Sequence, residues 1–321
     1  MLSAEDNQML TRVGPGTPMG ELMRRFWIPA LLSEELPEND GTPVRVRLLG
    51  EDLVAFRDSL GRIGLLDEHC PHRGTSLALG ANEKCGIRCL YHGWKFDVEG
   101  RCVDTPAEPP DSKLKERVRV KAYPTVEKGG VVWTYMGPSD QRPPFPNYEW
   151  LNMPDGHCLA FKVYEECNYA QAVEGTIDTA HAGCLHRTVR WDDPGVLPHE
   201  KSLHATIDVE YTKYGIRYAG LRKLPDGRTY ARVTLAPLPF FTFIPPDTND
   251  RVRSSRRLVN AFVPRDDEST WHMQWFFDPT RPVDREYRLK EGGLDLTPDY
   301  RKKANLSNWY RQDRTKMKET N

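Results

Sequence analysis

At 321 residues the chain is long enough for two domains of ordinary size, each with its own core. Its 38% hydrophobic and 28% charged content is that of a soluble globular protein, and a formal charge of −1 removes the electrostatic reason to expect a nucleic-acid partner. No apolar run reaches the length of a membrane span, and the opening MLSAEDNQML lacks the basic and apolar regions of a signal peptide, so a cytoplasmic protein with no membrane partner is expected.

Ser3 to Thr11 has the pattern of a short helix with a serine cap, and Thr17-Pro18 supplies a cap and an N1 proline for a helix over Met19–Phe26. From Val44 the pattern alternates, with Val44, Val46 and Leu48 on one face and Arg45 and Arg47 on the other. Leu53–Phe56 and Ile63–Leu66 flank Asp58-Ser59-Leu60-Gly61 as a hairpin, and Val131–Tyr135 is a further strand. Residues 44–136 therefore predict a small antiparallel β domain, with a first domain over 1–150 and a second over 151–321. The Pro-rich run Arg142-Pro143-Pro144-Phe145-Pro146 is expected to be a semi-rigid connection between them.

The second half opens on a helical pattern, Asn168–Ala182. Alternating runs follow at His204–Tyr211, Ile216–Leu221, Tyr230–Leu235, Leu258–Val263 and Trp271–Phe277, which predict a second antiparallel sheet. Residues 279–305 are polar and poor in apolar periodicity, and a long mobile segment is expected there.

The chain has seven cysteines, an odd number that in a reducing compartment points to metal ligation before disulfides. Cys70-Pro71-His72 is followed, after sixteen residues, by Cys89-Leu90-Tyr91-His92. Two short Cys/His pairs on separate loops can grip one small inorganic unit from two sides. In a [2Fe–2S] cluster two thiolates hold one iron and two imidazoles the other, which raises the potential above that of an all-Cys cluster. A structural zinc site is the alternative, but zinc fingers use Cys-x2–4-Cys and His-x3–5-His pairs rather than mixed ones. Cys85, Cys102 and His69 match no ligand position and are read as structural.

Downstream, Glu174, Asp178 and His181 recur at helical spacing with Gln171 on the same face. His186 would point away on an uninterrupted helix, and Gly183 is expected to bend the chain so that it swings back. Two imidazoles and a carboxylate suit a non-haem Fe(II) site with positions open for O2. The plainer reading is a polar helix face in solvent.

Cys70-Pro71-His72-Arg73-Gly74 with Cys89-Leu90-Tyr91-His92-Gly93-Trp94 resembles the signature of Rieske oxygenases. Asp178-Thr179-Ala180-His181 with His186, led by Glu165-Glu166-Cys167-Asn168-Tyr169, resembles their iron-binding motif. The chain is most similar to the phthalate 4,5-dioxygenase-like branch of α subunits, a likeness that fades after about Pro246. The resemblance implies an α+β fold: an N-terminal antiparallel β Rieske domain, then a catalytic domain with a central antiparallel sheet of helix-grip, START-like type. It implies Cys70 and Cys89 on the inner iron, His72 and His92 on the outer, His181 and His186 on Fe(II), and Trp94 packed beneath the cluster. Asp178 would bridge a ligand His to the Rieske His of a neighbouring subunit in a homotrimer or dimer of trimers.

The third ligand of that branch is an Asp near the C-terminus. The tail around Gln312-Asp313 is charged where a buried ligand helix would be apolar, so a chain that stops before its third ligand is favoured over Asp313, Asp295 or Asp299. The function implied is an oxygenase component fed by an NAD(P)H-dependent flavin or iron–sulfur reductase. It would use O2 to dihydroxylate an aromatic, phthalate-like acid or to O-demethylate a methoxy-aromatic. Arg217, Arg222, Arg228 and Arg232 could line such a pocket, and none is assigned to it. The alternatives are a Rieske ferredoxin-type electron carrier with an inert appended domain, and a zinc-stabilised binding module.

Overall fold

The structure is a computed structural model that describes residues 2–186, 197–245, 256–286, 289 and 295–316. The chain divides into two compact units, one of residues 1–152 with 263–269 and one of residues 153–262 with 270–321.

The first unit opens on two capped helices. The Ser3 hydroxyl accepts from Asp6 N–H at the start of α1 (Ala4–Thr11), and Thr17 does the same for Gly20 at the start of α2 (Pro18–Met23). The second helix ends three residues earlier than its apolar pattern predicts. The next residues become a fully buried strand, β1 (Trp27–Leu32), which a continuous apolar run cannot separate from helix by periodicity. A meander follows of β2 (Val44–Leu48), β3 (Glu51–Arg57) and β4 (Ile63–Asp67). Four short strands come next: β5 (Ala81–Glu83), β6 (Gly86–Arg88), β7 (Lys95–Phe96) and β8 (Cys102–Asp104). After the one-turn α3 (Leu114–Arg117), β9 (Ala122–Tyr123), β10 (Thr125–Lys128) and β11 (Val131–Tyr135) close the domain.

Three antiparallel sheets result, ordered β2-β3-β4-β9, β5-β6-β7-β8 and β1-β11-β10. The Pro-rich run is no free connection. Trp27 Nε1–H donates to the Pro143 carbonyl at 3.0 Å, and Phe145 packs edge-on against Trp27 and Trp133, because aromatic surface buried there outweighs an extended linker.

The second unit is built on one seven-stranded antiparallel sheet. In chain order its elements are β12 (Cys158–Glu165), α4 (Tyr169–Ile177), α5 (Ala182–Leu185), α6 (Pro198–Lys201), β13 (Thr206–Thr212), β14 (Gly215–Lys223), β15 (Thr229–Pro237), β16 (Phe241–Ile244), β17 (Arg257–Pro264) and β18 (Thr270–Phe277). The sheet order is β12-β18-β17-β16-β15-β14-β13, and α4 packs on β15 and β16. The five alternating runs form strands; β12 and the four-residue β16 complete the sheet.

Residues 287, 288 and 290–294 of the segment expected to be mobile lie outside the described residues. Its later part is tied to β12: Tyr164 N–H donates to the Tyr300 carbonyl, and Lys302 and Arg301 pair with Glu165 and Glu166. Main-chain bonding to a sheet edge is indifferent to side-chain polarity, which is why composition misled there.

Candidate functional site

The two Cys/His loops are built alike. Between β4 and β5, Gly74 N–H donates to the Cys70 carbonyl and Cys70 N–H to the Thr75 carbonyl. Between β6 and β7, Gly93 N–H donates to the Cys89 carbonyl and Cys89 N–H to the Trp94 carbonyl. Each loop closes on a glycine in the left-handed region, φ 70° at Gly74 and 72° at Gly93. At Gly93 a Cβ would also stand 2.7 Å from Pro106 Cγ.

The loops bring Cys70, His72, Cys89 and His92 around one hollow, also lined by Arg73, Thr75, Tyr91 and Trp94. Both thiols are buried in the core with Val54, Phe56, Leu66 and Phe96, while the imidazoles are half-buried. Burial and the neighbouring Cys89 push the Cys70 thiol up to about 11; the His72 and Arg73 backbone N–H groups, aimed at its sulfur, pull the other way. Partial desolvation and the His92 imidazole hold His72 below its ordinary value, in the neutral form a metal requires. The donor set thus fits a [2Fe–2S] unit: sulfurs on the inner side with amide donors near Cys70, imidazoles outside, and protons released as iron binds. Trp94 stacks on His72, with centroids 4.4 Å apart and planes at 7°, and shares the buried cluster that holds Cys70 and Cys89.

Cys85 occupies a different place. Lys84 and Cys85 form the two-residue turn of the β5–β6 hairpin with φ of 44° and 60°, and Cys85 N–H donates to Ser59 Oγ. Its role is that of a backbone position, so Cys85→Ser should leave the visible spectrum and iron content unchanged. Loss of absorbance in a folded Cys85→Ser protein would mean the ligand thiols are misassigned.

The second constellation departs from the expected continuous helix. Capped by Asn168, α4 stops at Ile177, Asp178 is extended at φ −67°, ψ 115°, and α5 starts only at Ala182. Glu174, Asp178 and His181 therefore do not share a helix face. The break is at 178–181, not at Gly183, which lies inside α5 where a Cβ would stand 2.8 Å from the His199 carbonyl; its glycine permits α5 to approach α6.

Within the break the Asp178 carboxylate accepts from Ala180 N–H at 2.7 Å and from His181 N–H at 3.3 Å. It also accepts from His181 Nδ1–H at 3.1 Å. Burial alone would raise the Asp178 pKa, but these hydrogen bonds outweigh it and hold the carboxyl below its usual range. With its proton on Nδ1, His181 turns the Nε2 lone pair outward, and His186 Nε2 lies 3.1 Å away. That spacing is within reach of two ligands each ~2.1 Å from one ion. The pair fits a mononuclear iron, which it would hold through two imidazole nitrogens.

The strand β14 holds this break. Tyr218, Gly220 and Arg222 alternate onto one buried face. Tyr218 Oη–H donates to the Ile177 carbonyl, and a Cβ on Gly220 would meet Thr179 Cγ2 at 2.8 Å. Arg222, 0% exposed, donates through Nη2 to the Thr179 carbonyl at 2.5 Å and through Nη1 to Thr179 Oγ1 at 3.3 Å. Sequence reasoning weighed Arg222 only as a pocket arginine; the signal available was a charged residue in phase with Tyr218 on a strand. Arg217 and Arg228 pair with Glu210 and Asp226 instead, both exposed.

Among the described residues no three His, Cys, Asp or Glu side chains converge as ligands of a single ion. Asp295 is bonded to Lys303 and Arg311, Asp299 to Thr297 and Arg301, and Asp313 to the Thr315 N–H and hydroxyl.

Comparison with known proteins bears on both sites. A Rieske [2Fe-2S] domain model matches residues 26–124, and the model described as LigXa C-terminal domain like matches residues 134–321. The phthalate 4,5-dioxygenase oxygenase subunit of Pseudomonas putida is 41% identical over 338 aligned positions, covering 100% of this chain and 76% of that protein. The 5,5'-dehydrodivanillate O-demethylase oxygenase subunit of a Sphingobium strain is 38% identical, over 91% of this chain and 66% of its own length. Among solved structures, dicamba monooxygenase superposes with a TM-score of 0.66 at 21% identity, over 84% of this chain and 82% of that one, a likeness of fold.

Proposed function

This chain belongs to the family of Rieske non-haem iron oxygenase α subunits, and from that membership we propose that Cys70 with Cys89 and His72 with His92 hold the two irons of its cluster while His181 and His186 hold Fe(II). An oxygenase subunit of a multicomponent system works with a separate reductase. We take that reductase to be an NAD(P)H-dependent flavin or iron–sulfur protein, and the assembly to be a homotrimer or dimer of trimers. When bound, the cluster supplies single electrons and the Fe(II) centre supplies O2 activation.

The chain's own residues prepare that chemistry. Burial disfavours the Cys70 thiolate, and the backbone N–H groups of His72 and Arg73 offset part of that. Asp178 fixes the His181 tautomer and, in a closed ring of subunits, also faces the neighbour's Rieske imidazole as an electron bridge. Tyr218 and Arg222 fix the chain break that aims both imidazoles at one point. An aromatic substrate would be held on the sheet face that carries α4, for ring cis-dihydroxylation or oxidative O-demethylation.

The observation that carries this reading is the His181–His186 nitrogen pair, 3.1 Å apart with one tautomer already set. A Rieske ferredoxin-type carrier has no use for it. Iron analysis separates the two. The oxygenase should contain about three irons per chain, falling to about two in His186→Ala with an unchanged visible spectrum. About two irons in both proteins would remove the mononuclear site.

A further inference from the structure

The sheet face that holds the α4–α5 break continues across β15 to β18, and its far part is polar. Tyr218 pairs with Thr234 and Leu235 with Phe243, so alternation places Tyr218, Thr234 and Thr242 on one side. Thr242 pairs in register with Asn260. Asn260 Oδ1 in turn accepts from His272 Nε2–H at 2.9 Å and from Gln274 Nε2–H at 3.1 Å.

Thr242, Asn260 and Gln274 are 0%, 1% and 8% exposed, yet Thr242 Oγ1, Asn260 Nδ2 and Gln274 Oε1 have no hydrogen-bond partner among the described residues. Buried polar atoms are nearly always satisfied, and three orphans on three adjacent strands of one face call for a common partner. Turning both amides together exchanges which residue donates but still leaves one donor and one acceptor beside a hydroxyl.

We propose that Thr242, Asn260 and Gln274 form a hydrogen-bonding subsite for a neutral hydroxyl or carboxamide substituent of the aromatic substrate. This rests on the reading that such a substrate is held on this sheet face. The chemistry selects the class. A phenolic hydroxyl both donates and accepts, as a carboxamide does, and meets the acceptor and donor together. A carboxylate can only accept, and would set its charge against the orphan amide oxygen with no cation among the three groups.

The test is equilibrium binding of phenol, toluene, benzamide and benzoate to the oxidised, cluster-bearing protein without reductase, read by ligand-observed NMR, with iron measured on the same samples. Phenol should bind at least about tenfold tighter than its isostere toluene, and benzamide tighter than benzoate. Thr242→Val and Asn260→Leu should bring phenol and toluene within about twofold, and Thr242→Ser should keep the preference. Equal binding of phenol and toluene to the wild-type protein would leave these atoms to buried water and overturn the proposal. So would a preference that survives in folded Thr242→Val and Asn260→Leu. About two irons per chain with the preference intact would sink the mononuclear-iron reading and spare the subsite; about three irons without it would sink the subsite alone.

Discussion

Arg222→Leu should empty the mononuclear site and destabilise the protein, with the cluster spectrum retained. Arg222 is fully buried and donates to both the carbonyl and the hydroxyl of Thr179, two residues past the end of α4. Leucine fills part of the volume but leaves the Thr179 carbonyl without its donor, at a cost of about 2–4 kcal/mol for the orphaned group and the imperfect fill. The larger consequence is geometric. Without that anchor Thr179 is no longer held to β14, and any rewinding of residues 178–181 into helix turns His186 away from His181. Iron should fall from about three to about two per chain, and the urea midpoint should drop. Arg222→Lys keeps charge and length but offers one point donor in place of a planar fork, so it should fall between. A folded Arg222→Leu protein with wild-type iron content and midpoint would show that the break stands without β14.

Asp178→Asn should weaken the mononuclear iron about 10–100-fold and reduce product formation in parallel, again with the cluster intact. The carboxylate is acceptor-only and uses both oxygens, one for Ala180 N–H and one for the two nitrogens of His181. An asparagine has one acceptor. If that oxygen keeps the Ala180 turn, the amide NH2 faces His181 Nδ1 and requires a lone pair there. The imidazole proton then moves to Nε2, the atom aimed at His186, and that nitrogen can no longer ligate. Iron titration followed by metal-centred spectroscopy, with the visible cluster bands as internal control, measures the change. Unaltered iron affinity would reduce Asp178 to a local cap.

The parts of this protein legible in its sequence are those whose geometry is settled within a few residues. Each Cys/His loop is closed by its own hydrogen bonds between positions four and five apart, with a glycine at the left-handed position, so Cys70, His72, Cys89 and His92 could be read as one set without knowing the fold. The caps of α1 and α2 and the β3–β4 hairpin are local in the same sense. His181 and His186 could also be paired, but for the wrong reason. The sequence around Gly183 offers a bend, whereas the chain actually breaks at Asp178, where Tyr218 and Arg222, some forty residues on, capture the carbonyls of Ile177 and Thr179. The helical spacing of Glu174, Asp178 and His181 suggests a continuous helix there, and the assembled sheet, with the turn that Asp178 caps, overrules it.

The polar floor of Thr242, Asn260 and Gln274 was not legible at all. Each residue is unremarkable on its own strand, and their unpartnered atoms come together only through the register of β16, β17 and β18. By itself, then, the sequence determined the family and the two loops that bring Cys70, His72, Cys89 and His92 around one hollow, because short-range hydrogen bonding constrains neighbouring residues directly. Tertiary structure alone decided where the catalytic helix breaks and which polar groups face it, because strand pairing between distant segments supplies the partners that local preference lacks.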